Sequence, residues 1–544
     1  MKPRRGLLIA LGVVVAVLLL VLVLAFSSSV QTWAARRVLA TQPDLAGEIG
    51  RVDVGLSYVR TENVVLRRPD MILTLPSLEA DLSVLGAARE RIEVRRLVAK
   101  GWTLDLTLGG ATAHPAAVAA APAAAFVPAS SPAPAVDTNA VSLPVGDLLA
   151  ALQLPVDIVA IDGVELEGQV FFLTGPNASR GRATVTITGG GLRPGQEGTF
   201  RVRSVAQLED PAGPVSSLTL QSQLTLAMAS PRRLSGATST STIEAAGGIL
   251  AAPTQLHFDF AAGALSAGSV YSVQLRTPEK QLLRLEADPT PGTTDQLSGE
   301  WKLALTDRDV APFALGYPLP HFNASGGGAV QLSTADGGVG LTGDISVDTS
   351  QLEVLLPELS AVGRTTSNLG FEARWVHDDV RVTRFHLQVA GERPVAEIVS
   401  RQGLELNLAS REFRVADPEA DLVEIKVHGV PLNWAQPFLG ELTLTGGPLQ
   451  GAWMAAAREG GFVLRAISPT QVGALQMTMH GETLVTALDV AMSPSFEYGP
   501  GGWQARVDRG QVQTGLQRFL SFEARAGQAA AKGAALVATA RFTA

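Results

Sequence analysis

The chain has 544 residues, 46% of them hydrophobic and only 17% charged, with a mean hydropathy of +0.21. Disordered chains show the opposite balance, so wholesale disorder is excluded. Residues 1–110 carry 14 Lys or Arg against 10 Asp or Glu, the remaining 434 carry 29 against 41, and there is no cysteine. That anionic body argues against a nucleic-acid partner, and the missing thiols remove disulfide frameworks, thiolate metal sites, iron–sulfur clusters and a lipidated cysteine anchor.

The first element is apolar. Lys2, Arg4 and Arg5 precede 21 uncharged residues, Gly6 to Phe26, rich in Leu and Val. At about 1.5 Å per residue they reach roughly 30 Å, the thickness of a hydrocarbon core. A signal-peptide core is shorter, about 7–15 residues, so an uncleaved transmembrane anchor is expected. The basic flank keeps the first residues cytoplasmic and places the body across the membrane. Trp33 then suits the interface, and Val30 to Ala40 reads as a short amphipathic helix.

Residues 27–110 read as a β module and 111–141 as an Ala/Pro-rich linker, in which Pro115, Pro122, Pro128, Pro132 and Pro134 break any long helix. Val145–Leu154 is a second helical stretch. The body, 142–544, reads as strand after strand. Leu218, Leu220, Leu224 and Leu226 alternate with Thr219, Gln221, Gln223 and Thr225, and Leu256, Phe258 and Phe260 alternate with His257 and Asp259. Such period-2 alternation gives a sheet one apolar and one wet face. On the order of twenty strands fit this template.

Two irregularities stand out. Val380 and Val382 share a phase that Phe385, Leu387 and Val389 do not, which predicts a bulge near Thr383–Arg384. Clusters at Gly189–Gly191, Pro289–Gly292, Gly326–Gly328 and Gly337–Gly338 are read as breaks between strands. A weak internal repeat relates about 301–334 to 423–454: Leu303, Leu305 and Pro312-Phe313 lead to Gly326–Gly328, as Ile425, Val427 and Pro437-Phe438 lead to Gly446-Gly447.

No enzyme signature emerges. The seven histidines lack metal-ligand spacing. His377-Asp378-Asp379 reads as a solvated hairpin turn, and no nucleophile elbow or phosphate loop is present. Asp307 and Asp309 lack the glycine-rich loop of a calcium site. No catalytic residue, cofactor or metal is nominated.

The N-terminal order is familiar. A basic cap and one apolar helix precede the amphipathic Val30–Ala40, then IGRVDVGLS (Ile49 to Ser57), NVVLRRPD (Asn63 to Asp70), LEADLSVL (Leu78 to Leu85) and RIEVRRLVAKGWTLDL (Arg91 to Leu106). This order resembles the AsmA-like family, with its AsmA and TamB-type members and chorein-like N-terminal module, over residues 1–110 and 143–172. No TamB-type C-terminal domain is evident. The resemblance implies an all-β fold: an N-terminal transmembrane helix, then an elongated, curled, mostly antiparallel sheet forming a repeating β-groove, with few short helices. It implies a periplasmic body anchored in the inner membrane by Gly6–Phe26, with phospholipid as partner and a part in lipid transport or outer-membrane biogenesis. Leu218, Leu220, Leu224, Leu226, Leu256, Phe258 and Phe260 would line the groove. The alternation alone fits a closed sandwich equally well, and an envelope scaffold that binds other envelope proteins is the competing function.

Overall fold

In the computed structural model the structure describes residues 46–107 and 157–543, apart from short breaks at 56, 69–70, 83–85, 87–90, 175–178, 210–214, 266–267, 294–295, 316, 334, 409, 411, 459–460, 515–516 and 530–534. The Gly6–Phe26 anchor, the Val30–Ala40 and Val145–Leu154 helices and the 111–141 linker lie outside the described residues. Among the described residues no helix is long and apolar enough to cross a membrane.

The described chain is all-β, with 29 strands and one short α-helix, α1 (Asp307–Val310). It divides into two compact units, the first built from residues up to 281 with 312–317, the second from 282–311 and 318–543. In the first unit β1 (Ala46–Val54), β2 (Val59–Arg68), β3 (Met71–Leu82) and β4 (Arg91–Asp105) form an antiparallel meander. β5 (Asp157–Ile161) and β6 (Val164–Thr174) then join β4 in parallel. From β6 the order is again antiparallel through β7 (Ser179–Gly190), β8 (Glu197–Leu208), β9 (Ser217–Ser230), β10 (Arg233–Ala246), β11 (Thr254–Leu265) and β12 (Gly268–Arg276). A parallel pair needs a long crossover, and the 111–141 stretch lies in the connection that supplies it.

The second unit continues in antiparallel neighbours. β13 (Gln281–Pro289), β14 (Gln296–Thr306), β15 (His321–Ser333), β16 (Val339–Ser350), β17 (Thr365–Val376) and β18 (Asp379–Ala390) pair in sequence. β18 then divides its length between β19 (Pro394–Ser400) and β20 (Leu404–Asn407), and β20 pairs with β21 (Phe413–Val415). β19 continues to β22 (Asp421–Val430), β24 (Leu449–Arg458), β25 (Gly461–Met479), β26 (Glu482–Gly499), β27 (Gly502–Thr514), β28 (Gln517–Ala529) and β29 (Val537–Thr543). The short β23 (Leu442–Thr445) pairs with the far half of β25. The sheet does not close: among the described residues β1 pairs only with β2 and β29 only with β28.

The expected bulge is present. Glu372 pairs with Arg384 and Ala373 with Val382, so Thr383 is the extra residue, and its hydroxyl donates to the Glu372 carbonyl at 3.2 Å. The bulge restores Phe385 and Leu387 to the face of Val380 and Val382, which explains the phase break in the sequence. His377 and Asp378 form the two-residue turn between β17 and β18. Thr306 is the N-cap of α1, and Asp309, three residues on, accepts from its amide at 2.8 Å and from its hydroxyl at 2.6 Å, as in a capping box.

One of the expected glycine breaks is corrected: Gly326–Gly328 lies inside β15, whereas Gly189–Gly191 does mark a strand end, β7 stopping at Gly190. Gly328 is needed because a Cβ there would stand 1.9 Å from the Thr342 carbonyl oxygen, and the neighbouring Gly343 because its Cβ would meet Trp301 Cζ2 at 2.5 Å. The glycines admit a large neighbour; they do not end a strand. In the first of the two repeat stretches α1 stands between the paired strands β14 and β15; in the second the 3₁₀ helix Leu432–Phe438 and the short β23 stand between the paired strands β22 and β24.

Candidate functional site

Register places all seven sequence-predicted residues on one face of β9–β11. Leu220 pairs with Ile243 and that with Leu256; Leu224 pairs with Ser239 and that with Phe260. Leu218 and Leu226 stand opposite Ala245 and Ala237, and Phe258 opposite Ser241. Residues i and i+2 share a face, so these seven form one patch.

The patch extends beyond them. Across β8 it takes in Phe200 and Val202, across β7 Ile187, and across β6 Leu166. Sequence reasoning missed these because each short run is unremarkable until the pairing lays the runs side by side. It also missed three serines on the same face. Ser241 donates to Ser222 at 2.8 Å, and Ser239 lies 3.1 Å from Ser241 and 3.3 Å from Ser222. Their hydroxyls satisfy one another, so the patch demands little water at that point.

The opposite face is wet and paired. The Gln255 amide donates to Glu244 at 2.8 Å, Thr242 lies 3.1 Å from His257, and Arg276 reaches Asp259 at 3.6 Å. Further along, Lys100 and Glu165 approach to 2.5 Å, and their shared hydrogen bond raises the lysine and lowers the carboxylate. Charge is thus sorted to one side of the sheet.

Exposure distinguishes a filled core from an open face. In a two-layer sandwich the large inward side chains are the most buried. Here Leu218, Leu220, Leu224, Leu226, Phe258 and Phe260 are only half-buried, and Leu256 alone of the seven is buried. The small Ala183, Ala237, Ala245 and Ala262 of the same face are buried instead. Burial here comes from taller neighbours in the same sheet, and among the described residues no second layer covers most of the patch.

The second unit carries a similar face. Leu303, Ile345, Leu369, Leu387, Ile398 and Ile425 follow one another across its strands. Towards β29 this face holds a cavity of about 520 Å³, floored by Ala505, Ala524 and Ala538 and walled by Trp453, Leu464 and Phe496. Beside Leu303 on the same face, Trp301 lies across Gly328 and Gly343, donates its Nε1–H to the Thr342 carbonyl at 3.0 Å and meets Phe371 with ring centroids 6.0 Å apart. Among the described residues no group of three His, Asp or Glu side chains is arranged to hold a metal ion.

Compared with models of protein families, with curated proteins and with solved structures, the chain matches none.

Proposed function

We propose that the chain is an AsmA-like protein, anchored in the inner membrane through Gly6–Phe26, whose periplasmic body contributes to phospholipid transport or outer-membrane biogenesis. In this reading the sheet is elongated and curls about its apolar face to make a groove. The observation that carries it is the half-exposed apolar patch of β6–β11, which offers acyl chains a dry surface with no second layer among the described residues to displace. Burying a chain gains about 0.8 kcal/mol per CH₂, so an extended face can offset much of the cost of leaving a bilayer. A series of similar weak contacts also suits movement better than one deep pocket.

The test is purification in mild detergent followed by mass spectrometry of bound lipid. Wild type is expected to carry phospholipid. Leu220→Asp, Leu224→Asp and Phe258→Asp together should remove it while the far-ultraviolet circular dichroism persists, because an ionised carboxylate solvates an acyl chain poorly. Changes at Thr219, Gln223 and Asp259, on the other face, should leave lipid in place. Phospholipid retained by the folded triple variant would overturn the conduit reading.

One observation favours a scaffold as the second reading. β29 pairs only with β28 among the described residues, and Val537 and Phe542 on it are exposed. An unpaired edge of this kind can accept a strand from another envelope protein. Crosslinking from Thr539 to a protein partner, together with absence of bound lipid, would support it.

A further inference from the structure

The polar face of the second unit carries a walled cleft that the apolar face does not need. Its floor is a row of side chains in register: Asn368 on β17, Gln388 on β18 and Glu397 on β19, with His428 and Gln450 beside them. Its walls are chain segments that rise off the sheet, residues 361–364 after the 3₁₀ helix Pro357–Ala361, and Pro431 to Trp434 at the start of the 3₁₀ helix Leu432–Phe438. The cleft holds about 970 Å³. Through Asn368 and Gln388 it runs into a second hollow of about 420 Å³ over Gly327 and Gly370, edged by Asp344 and Ser346. Volumes of this order are typical of small-ligand sites.

The chemistry of the lining selects a ligand. The side-chain amides of Asn368 and Gln450 have no hydrogen-bond partner among the described residues, and the Trp434 indole stacks on no ring there. Each amide offers one acceptor and two donors in a plane, which matches adjacent hydroxyls on a ring. An indole offers an apolar plate with one polar corner, which matches the C–H face of the same ring. Glu397 is held in place by His386 at 2.7 Å and by the Gln388 amide and faces His428 at 3.7 Å, so it stands as a fixed acceptor and orients Gln388, whose carbonyl oxygen and second N–H are left for a ligand. Formal charge around the cleft is balanced, Arg364 and Arg393 against Glu392 and Glu397. A phosphate or carboxylate ligand would call for a net cationic lining.

We propose that this cleft binds a neutral oligosaccharide of pyranose rings, with Asn368, Gln388 and Gln450 hydrogen-bonding ring hydroxyls and Trp434 stacking on a ring face. Within the second unit the site lies on the face opposite the Leu303–Ile425 row, and it stands independently of the lipid reading.

The experiment titrates the full-length protein in mild detergent with maltohexaose and, separately, tri-N-acetylchitotriose, followed by calorimetry and tryptophan fluorescence. At least one sugar should bind saturably, with quenching or a shift of the indole emission. Trp434→Ala and the double variant Asn368→Ala/Gln388→Ala should each weaken it about tenfold or more, the scale of a lost charged or stacked contact. Gln450→Ala provides a second route if Trp434→Ala fails to fold. The proposal is overturned if neither sugar saturates by about 10 mM, or if the folded variants bind as wild type. It is equally overturned if inositol hexakisphosphate binds through these residues and the sugars do not.

Discussion

The apolar faces of β6–β11 and of β13–β17 are written in the same alternating pattern, but they differ in what stands above the strands. In the first, Leu218, Leu220, Leu224, Leu226, Phe258 and Phe260 are only half-buried, Leu256 alone of the seven is buried, and the alanines between them are buried. In the second, Leu297 and Val330 are 0% exposed and Trp301 is 7% exposed. Part of the difference is written in glycine. Gly328 and Gly343 occupy the row of Trp301 and Phe371, so the indole lies flat over two strands and fills the floor. Alternation therefore decides which face is apolar, and local side-chain volume decides whether that face is open or filled.

The largest effect expected from this contrast is at Val330. Val330→Asp should abolish cooperative unfolding of the second unit, since a carboxylate there has no route to water; a loss above about 4 kcal/mol is expected. Leu220→Asp, half-exposed, should keep a cooperative urea transition at a lower midpoint. Equal damage from the two would show that the β6–β11 face is covered after all.

Truncations sharpen the same comparison. Trp301→Ala should cost about 3–5 kcal/mol in urea denaturation, the range for a buried aromatic. Phe258→Ala should cost less, about 1–2 kcal/mol, because part of its ring already meets solvent. Gly343→Ala tests the fit beneath the indole: it should destabilise by about 1–3 kcal/mol as an overpacked site. In a Trp301→Ala background that cost should shrink by more than about 0.5 kcal/mol, the signature of two groups in contact. Part of the clash will remain, because the added Cβ also stands 2.4 Å from the Gly327 carbonyl oxygen.

The smallest effect is electrostatic and belongs to the polar face. The hydrogen bond from His386 holds the Glu397 carboxyl below its ordinary value; desolvation opposes this and the nearby Lys426 assists it. A carboxylate with a lowered folded-state pKa contributes stability above the ordinary carboxylate range and loses it as pH falls through the lowered value. Glu397→Gln should therefore flatten the acid limb of the stability–pH curve slightly and leave neutral pH almost unchanged, since the site is open to solvent. An unaltered acid limb would show that the His386 contact does not persist in solution.

Much of the face was legible before any pairing was known. The two-residue period of Leu218–Leu226 and Leu256–Phe260 assigned all seven residues to one side, and the phase change between Val382 and Phe385 located the bulge at Thr383. The serine trio was not legible: Ser222, Ser239 and Ser241 come from two strands, and only register brings their hydroxyls within reach. Gly326–Gly328 was read as a break because glycine is a common punctuation of strands. Its role inside β15 depends on Trp301 from the preceding strand and on Gly343 from the next, which no local window contains.

The sequence by itself determined the class of structure and the sorting of its faces, because side-chain direction along a strand follows from backbone geometry and needs no partner. It also determined that Lys2, Arg4 and Arg5 stand before an apolar run long enough to span a bilayer. Tertiary structure alone decided which strands are neighbours, and with that the parallel join of β4 to β6 and the half-exposure of the β6–β11 patch. It also decided the cleft of Asn368, Gln388 and Trp434, which come from three separate elements. These outcomes depend on contacts between residues far apart in the chain, where packing volume and hydrogen-bond register decide and local pattern carries no information.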